Sequence, residues 1–328
     1  MNATIKDIIT VKNRINKLIN NTPVLTSSML NKWLGHEVYF KAEGFQKIGA
    51  FKARGACNTI AWLIENNQRP NHIIANSSGN HAQAVAWASK IFDIPATIYM
   101  PDFSSKVKIQ ATSSYGANVV LCESRAMVDE KVIQESKKDD VYWIPPFNHE
   151  QVILGQGTAI YETLQEIGEV DAVFAPCGGG GLLSGSLIAA KGLFPKTKVI
   201  GAEPLNANDA SMSLQKNTIQ RLTSTPQTLA DGAMTLAVGD ITFEYLKKLD
   251  EFYEIKESEM IYWTQWLTHL LKVRIEPTSA LSMEAAKQWM QKQSKKKKIV
   301  ILLSGSNIDH VTNQKIWKDD MLLKKPSL

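Results

Sequence analysis

The chain is short of cysteine. Cys57, Cys122 and Cys177 are widely spaced, odd in number and form no CxxC pair. That excludes a disulfide framework and a thiolate zinc site and leaves reduced thiols. Long apolar runs are missing too. No stretch reaches the length of a transmembrane helix, and Met1-Asn2-Ala3-Thr4-Ile5-Lys6-Asp7 lacks the apolar core of a signal peptide. A cytoplasmic protein with no membrane partner is therefore expected. Charge of one sign is scarce, the net value being +5, and Lys295-Lys296-Lys297-Lys298 supplies much of it. Without interleaved aromatics or a recognisable binding module, that run gives no sign of a nucleic-acid partner. It reads as a solvated connection whose lysines discourage aggregation before the apolar segment Ile299 to Leu303. There is no internal repeat.

What is present is the composition of a soluble globular enzyme, with 44% hydrophobic and 21% charged residues, in a chain of 328 residues. Such a length accommodates about two domains. Short apolar strand candidates, 72–76, 96–100, 118–122, 172–175, 198–202 and 299–303, alternate with amphipathic runs such as 81–92 and 105–115. Continuous apolar strands with intervening helices predict α/β parallel sheets covered on both faces, with ligands at the loops beyond the strand C-termini. Residues 72–148 hold βα units of their own and read as a small domain inserted in a larger one, 1–71 with 149–328. The hinges fall near Pro70-Asn71 and Pro145-Pro146, which are turn-prone.

Four segments carry chemistry. Gly49-Ala50-Phe51-Lys52-Ala53-Arg54-Gly55 follows the β-rich run Val38 to Glu43 and shields one lysine with an aromatic, which suits Schiff-base chemistry by a partly desolvated amine. Asn76-Ser77-Ser78-Gly79-Asn80-His81 joins a strand to a helix and offers hydroxyls and free amides to a carboxylate. Cys177-Gly178-Gly179-Gly180-Gly181-Leu182-Leu183-Ser184-Gly185 lets several N–H groups face one phosphate. No register of it gives the glycines of a dinucleotide fingerprint, and it has no triphosphate-loop lysine. Leu303-Ser304-Gly305-Ser306-Asn307 closes the last strong strand with a serine able to bond a ring nitrogen. A lysine, a phosphate cradle, a carboxylate cradle and a ring-nitrogen partner together match pyridoxal phosphate acting on an amino acid.

With Gly155-Gln156-Gly157-Thr158, Ala230-Asp231-Gly232 and Glu276-Pro277-Thr278 added in order, the chain resembles the fold-type II pyridoxal phosphate enzymes, specifically the threonine/serine dehydratase and serine racemase group, over roughly residues 5–310. The resemblance implies two doubly wound domains of the tryptophan synthase β-like architecture. It implies that Lys52 is the Schiff-base lysine and proton-transferring base, that Phe51 packs on the ring and that Asn80 bonds the ring hydroxyl. Gly178, Gly179, Gly180, Gly181 and Leu182 would hold the phosphate, and Ser304 would face the ring nitrogen. Ser77, Ser78, Asn80 and His81 would receive the substrate carboxylate, with Ser78 on the face opposite Lys52. In the racemase branch, the positions of Glu203, the Ala207 carbonyl and Asp209 bind Mg²⁺ or Ca²⁺. Two positions depart from the family: Ser306 replaces a glycine and is expected to narrow the space beside the ring nitrogen, and Asp129 stands where an arginine is common, with Arg125 one turn earlier. The implied activity is a threonine/serine ammonia-lyase; serine racemase and threo-3-hydroxyaspartate ammonia-lyase are the alternatives. Intact Lys52, Asn80 and Ser304 argue against a silent ligand-binding relative. The chain ends soon after Asn307, which implies the short catabolic type, and a homodimer or other homo-oligomer is expected.

Overall fold

A computed structural model describes residues 3–328. These residues form ten strands: β1 (Val24–Thr26), β2 (Glu37–Ala42), β3 (His72–Asn76), β4 (Ala96–Pro101), β5 (Asn118–Cys122), β6 (Val141–Trp143), β7 (Ala172–Pro176), β8 (Lys198–Pro204), β9 (Glu251–Ile255) and β10 (Lys298–Leu303). The larger sheet runs β1-β2-β10-β7-β8-β9 and is parallel except for β1, which pairs antiparallel with β2. The smaller sheet, β5-β4-β3-β6, is wholly parallel and lies between β2 and β7 in the chain. The fold is α/β with parallel sheets, as the strand and helix alternation predicted, and has two doubly wound parts, as the resemblance implied.

The strands are apolar on both faces because both faces are covered. In β10, Ile299, Ile301 and Leu303 join one core while Val300 and Leu302 join the other. Ala172 and Phe174 of β7 alternate with Val173 and Ala175 in the same way. The period of two thus separates two packed layers rather than a wet face from a dry one. One of these cores continues beneath the small sheet through Ile73, Ala75, Ile98 and Met100, while Ile74, Tyr99 and Cys122 pack outward against the helix Arg125–Glu135.

The strand order decides where the site lies. From β7 the chain moves to β8 and β9, then returns to place β10 on the other side of β7. From β3 it moves to β4 and β5, then returns to place β6 on the other side of β3. Each reversal opens a crevice at the strand C-termini. The tetraglycine follows β7, Ser304 follows β10 and Ser77 follows β3, so three of the four singled-out segments sit at the two switch points.

Three strands escape the apolar reading. β1 and β6 are only three residues long, and β9, Glu-Phe-Tyr-Glu-Ile, is a half-exposed edge. The lysine run leaves Lys295 and Lys296 exposed, as expected of a solvated connection, and it is paired as well: Lys296 with Glu37 at 2.7 Å and Lys297 with Asp171 at 2.9 Å, tying the start of β10 to its neighbours. All three cysteines are buried and free. No helix among the described residues is long and apolar enough to cross a membrane.

Candidate active site

Lys52 opens the helix Lys52–Glu65, with Phe51 as its cap. The exit of β10 is stitched to this turn. Phe51 N donates to the Ser304 carbonyl at 3.0 Å, Ser306 N donates to the Gly49 carbonyl at 2.9 Å, and Ala50 bridges Gly305. Residues 253 to 257 positions apart in sequence are thereby neighbours. The Lys52 amine is enclosed although the residue keeps some exposure; Nζ donates to the Pro146 carbonyl at 2.5 Å and lies 5.2 Å from the Phe51 ring centre. Burial, opposed by the charge of Glu276, pulls the amine down to about 8. Two residues on, fully buried Arg54 holds Glu43 through Nε and Nη2 at 2.7 and 2.8 Å and Glu162 at 2.8 and 3.0 Å. Lys41 adds 2.9 Å to Glu162. This ionic knot fixes the first turn of the lysine helix between β2 and the helix Glu150–Ile167, and only the arginine in the motif hinted at it.

The tetraglycine is close-packed. Gly180 has φ +91°, a conformation that favours glycine. A Cβ at Gly179 would lie 2.2 Å from the Phe147 ring, and one at Gly178 would lie 2.8 Å from the Gly232 carbonyl. Among the described residues no acceptor takes the backbone amides of Gly178, Gly179, Gly180, Gly181 or Leu182. Five unclaimed donors at the start of the helix Gly181–Leu193 fit a phosphate dianion. An enclosed amine able to condense with an aldehyde completes the fit to pyridoxal phosphate.

Ser304 and Asn80 meet on one carboxylate that sequence reasoning left without a role. Ser304 Oγ lies 2.7 Å from Glu276 Oε1, and Asn80 Nδ2 donates to Glu276 Oε2 at 3.0 Å. Asn307 Nδ2 donates to Asn80 Oδ1 at 2.8 Å. Glu276 is buried as the cap of the helix Pro277–Met290. Burial and then the charge of Asp231 raise it to about 7, against the hydrogen bonds from Ser304 and Asn80. Its signal was the Glu276-Pro277 pair, a polar cap before a first-turn proline. The Ser306 hydroxyl lies 3.4 Å from the carbonyls of both Gly44 and Gly49. The replacement of glycine therefore adds contacts to the loop before Lys52.

The loop after β3 is looser. Ser77 Oγ accepts from Gly79 N at 3.2 Å, the Ser78 hydroxyl has no partner among the described residues, and a Cβ at Gly79 would meet nothing within 4 Å. His81 is buried, and its Nε2 donates to the Ile144 carbonyl at 2.8 Å. Nδ1 is then a bare lone pair without a partner among the described residues, and burial followed by the charge of Lys52 holds the ring at about 3. A carboxylate can meet His81 only through its main-chain amide. Asp129 accepts from Asn76 Nδ2 at 2.8 Å. Lys108, on the helix Lys106–Ser114, crosses to Asp231 and joins the two halves of the site.

Glu203 and Asp209 are both buried. Glu203 accepts from the amides of Ala210 and Ser211 at 3.2 and 2.7 Å, whereas neither oxygen of Asp209 has a partner among the described residues. Burial raises both carboxyls, Asp209 to about 7. Ala207 is buried in the turn between them. A buried carboxylate with no side-chain partner among the described residues, close enough to a second for its charge to raise it, fits a hard cation. No group of three or more His, Cys, Asp or Glu side chains converges among the described residues, so two carboxylates would have to be supplemented by carbonyl and water oxygens.

The fold, the enclosed lysine and the unclaimed amides define the class of fold-type II pyridoxal phosphate enzymes. The family model described as "Pyridoxal-phosphate dependent enzyme" matches residues 15–305, and the chain belongs to that family. It is 41% identical to the L-threo-3-hydroxyaspartate ammonia-lyase of Saccharomyces cerevisiae, over 93% of this chain and 94% of that one. It is 43% identical to the serine racemase of Schizosaccharomyces pombe, over 93% and 94%. The crystal structure of the serine racemase from Dictyostelium discoideum superposes with a TM-score of 0.87 at 40% identity, covering 94% of this chain and 99% of that chain.

Proposed function

We propose that this enzyme removes water and ammonia from a small β-hydroxy amino acid to leave a 2-oxo acid, with serine or 3-hydroxyaspartate preferred to threonine and with racemisation of serine as a companion reaction. Threonine and serine together were the first expectation from sequence, with 3-hydroxyaspartate and serine racemisation as alternatives. The two relatives named above act, by their names, on 3-hydroxyaspartate and serine, which supports moving those substrates ahead of threonine. The observation that carries the reading is an enclosed lysine amine, held at about 8, in a site that also presents five unclaimed amides.

When bound, pyridoxal phosphate supplies an electron sink for charge developing at the substrate α-carbon. Gly178, Gly179, Gly180, Gly181 and Leu182 would hold its phosphate through their amides. Phe51, Asn80 and Ser304 would hold its ring, Phe51 by packing, Asn80 at the hydroxyl and Ser304 at the nitrogen. Ser77, Ser78 and the amides of Asn80 and His81 receive the substrate carboxylate. Lys52 Nζ takes the α-proton, and a value of about 8 keeps a usable neutral fraction near physiological pH. Ser78 supplies a proton from the opposite face when the product is the other enantiomer. Glu203, the Ala207 carbonyl and Asp209 would hold Mg²⁺ or Ca²⁺. The two sheets support a large domain of residues 1–71 and 149–328 and a small one of 72–148.

The test is 2-oxo acid release from L-serine, D-serine, L-threonine and 3-hydroxyaspartate, with the chirality of residual serine recorded. Release from L-serine or 3-hydroxyaspartate should exceed release from threonine. A protein that turns over none of the four ends the reading.

A further inference from the structure

We propose that Glu276 is a positioning residue that sets, through Ser304, whether the cofactor's ring nitrogen receives a hydrogen bond or must donate one. This rests on the reading above that Ser304 faces that nitrogen. Ser304 has one proton to give, and two groups claim it: the ring nitrogen and Glu276 Oε1, 2.7 Å away. If Glu276 is ionised, the Ser304 hydroxyl donates to the carboxylate and turns only a lone pair toward the ring, which must then carry its own N–H. If Glu276 is protonated, its O–H donates to Ser304 and Ser304 donates to an unprotonated ring nitrogen. One carboxyl proton therefore reverses the polarity of a two-bond chain.

The surroundings leave Ser304 no other acceptor of comparable strength. Ser279 Oγ lies 3.1 Å from Ser304 Oγ and spends its own contacts on Gly305, with the carbonyl and the amide both at 3.3 Å. Asn80 holds the second carboxyl oxygen at 3.0 Å, and the Glu276 amide donates to the Gly305 carbonyl at 3.2 Å, so the carboxyl cannot swing away. Space is reserved for it as well: a Cβ at Gly305 would come within 2.7 Å of Oε2. The charged groups acting on Glu276 are Asp231, which favours the neutral acid, and Lys108 and Lys52, which favour the carboxylate. With its midpoint at about 7, the acid form prevails below neutrality and the carboxylate above it.

The experiment follows bound pyridoxal phosphate by absorbance from about pH 5 to 9, a span that covers the ordinary and the raised carboxyl values. Wild type should show a spectral titration with a midpoint near 7, and E276Q, whose amide can donate to Ser304 but cannot titrate, should be flat with cofactor affinity within about threefold of wild type. E276D should restore a titration at a shifted midpoint, which a purely structural role would not. In cofactor-free protein, infrared difference spectra should show a carboxylic-acid band lost with the same midpoint in wild type and missing in E276Q. E276Q titrating like wild type, or Glu276 already ionised in the cofactor-free protein at the acidic end, overturns the proposal; should E276Q not fold, E276D with an unshifted midpoint does so. S304A titrating like wild type while E276Q is flat also overturns it, by removing Ser304 as intermediary. Failure to bind pyridoxal phosphate at all breaks the underlying reading instead, and the infrared titration then decides the state of Glu276 by itself.

Discussion

The loop after β7 and the loop after β3 are built from similar residues and packed in opposite ways. Both are small, polar and placed before a helix at a sheet reversal. Yet a Cβ at Gly178, Gly179 or Gly180 would overlap another atom within 3.0 Å, whereas one at Gly79 meets nothing within 4 Å. Ser304 and Glu276, beside the first loop, are buried, while Ser77, Ser78 and Asn80 in the second are half-exposed. A rigid, dry surface with its donors already aimed suits a ligand that stays, because orientation is fixed before binding. A half-open loop with an uncommitted hydroxyl suits one that enters and leaves at each turnover. The difference teaches that glycine content alone says little; what surrounds the missing Cβ separates the two uses.

The largest expected effect removes the group both loops address. Lys52→Ala should lower turnover by at least the general-base factor, on the order of 10²–10⁴, and abolish the absorbance of the lysine-bound cofactor while circular dichroism stays unchanged. Turnover within a tenth of wild type would falsify the assignment. Next comes the open loop. Elimination needs one base, but a new proton on the opposite face needs a second group, so Ser78→Ala should depress serine racemisation by about 10²-fold or more and elimination from L-serine only slightly. Equal losses of kcat in both reactions would reduce Ser78 to positioning.

The sharpest test of the contrast is a matched pair of glycine substitutions. Gly179→Ala must push against Phe147 and should cost about 1–3 kcal/mol, with weakened cofactor binding. Gly79→Ala should spare melting temperature and cofactor affinity but raise KM, since its methyl enters the space kept for substrate. Should the two variants behave alike, the division of labour is wrong. The last test concerns the acidic pair, which lies apart from both loops in the reaction and bears on stability alone. Adding Mg²⁺ or Ca²⁺ at about 100 times its dissociation constant should stabilise the protein by about 2.7 kcal/mol, and Asp209→Asn should erase the gain. A melting temperature indifferent to both chelator and cation leaves Glu203 and Asp209 as a buried acid pair and nothing more.

Much of this was legible in the chain. Apolar strands alternating with amphipathic helices specify parallel sheets because only a strand covered on both sides can be apolar throughout, and Ile299 to Leu303 and Ala172 to Pro176 are such strands. The tetraglycine stood out because four glycines in a row have few other uses, whereas Lys52 and Ser304 stood out only in combination with it, since a lone lysine or a serine at a strand end has many. The edge strands β1, β6 and β9 were missed because short, half-exposed pairing leaves no run of apolar residues to see.

Other features have no local signature. The Arg54 knot joins Glu43, Glu162 and Lys41, and each of these reads in sequence as an ordinary surface charge. Ser306 reads only as a departure from the family until the fold brings its hydroxyl to the carbonyls of Gly44 and Gly49. Glu276 appears as a helix cap until Asn80 and Ser304 arrive from 196 and 28 residues away. The sequence by itself determined which elements form and which loops carry chemistry, since hydrophobic period and backbone freedom are properties of neighbouring residues. Only the tertiary structure decided which side chain each buried charge faces and which hydroxyl stays free. Those are set by desolvation and by partners brought together from distant parts of the chain, and no local pattern encodes either.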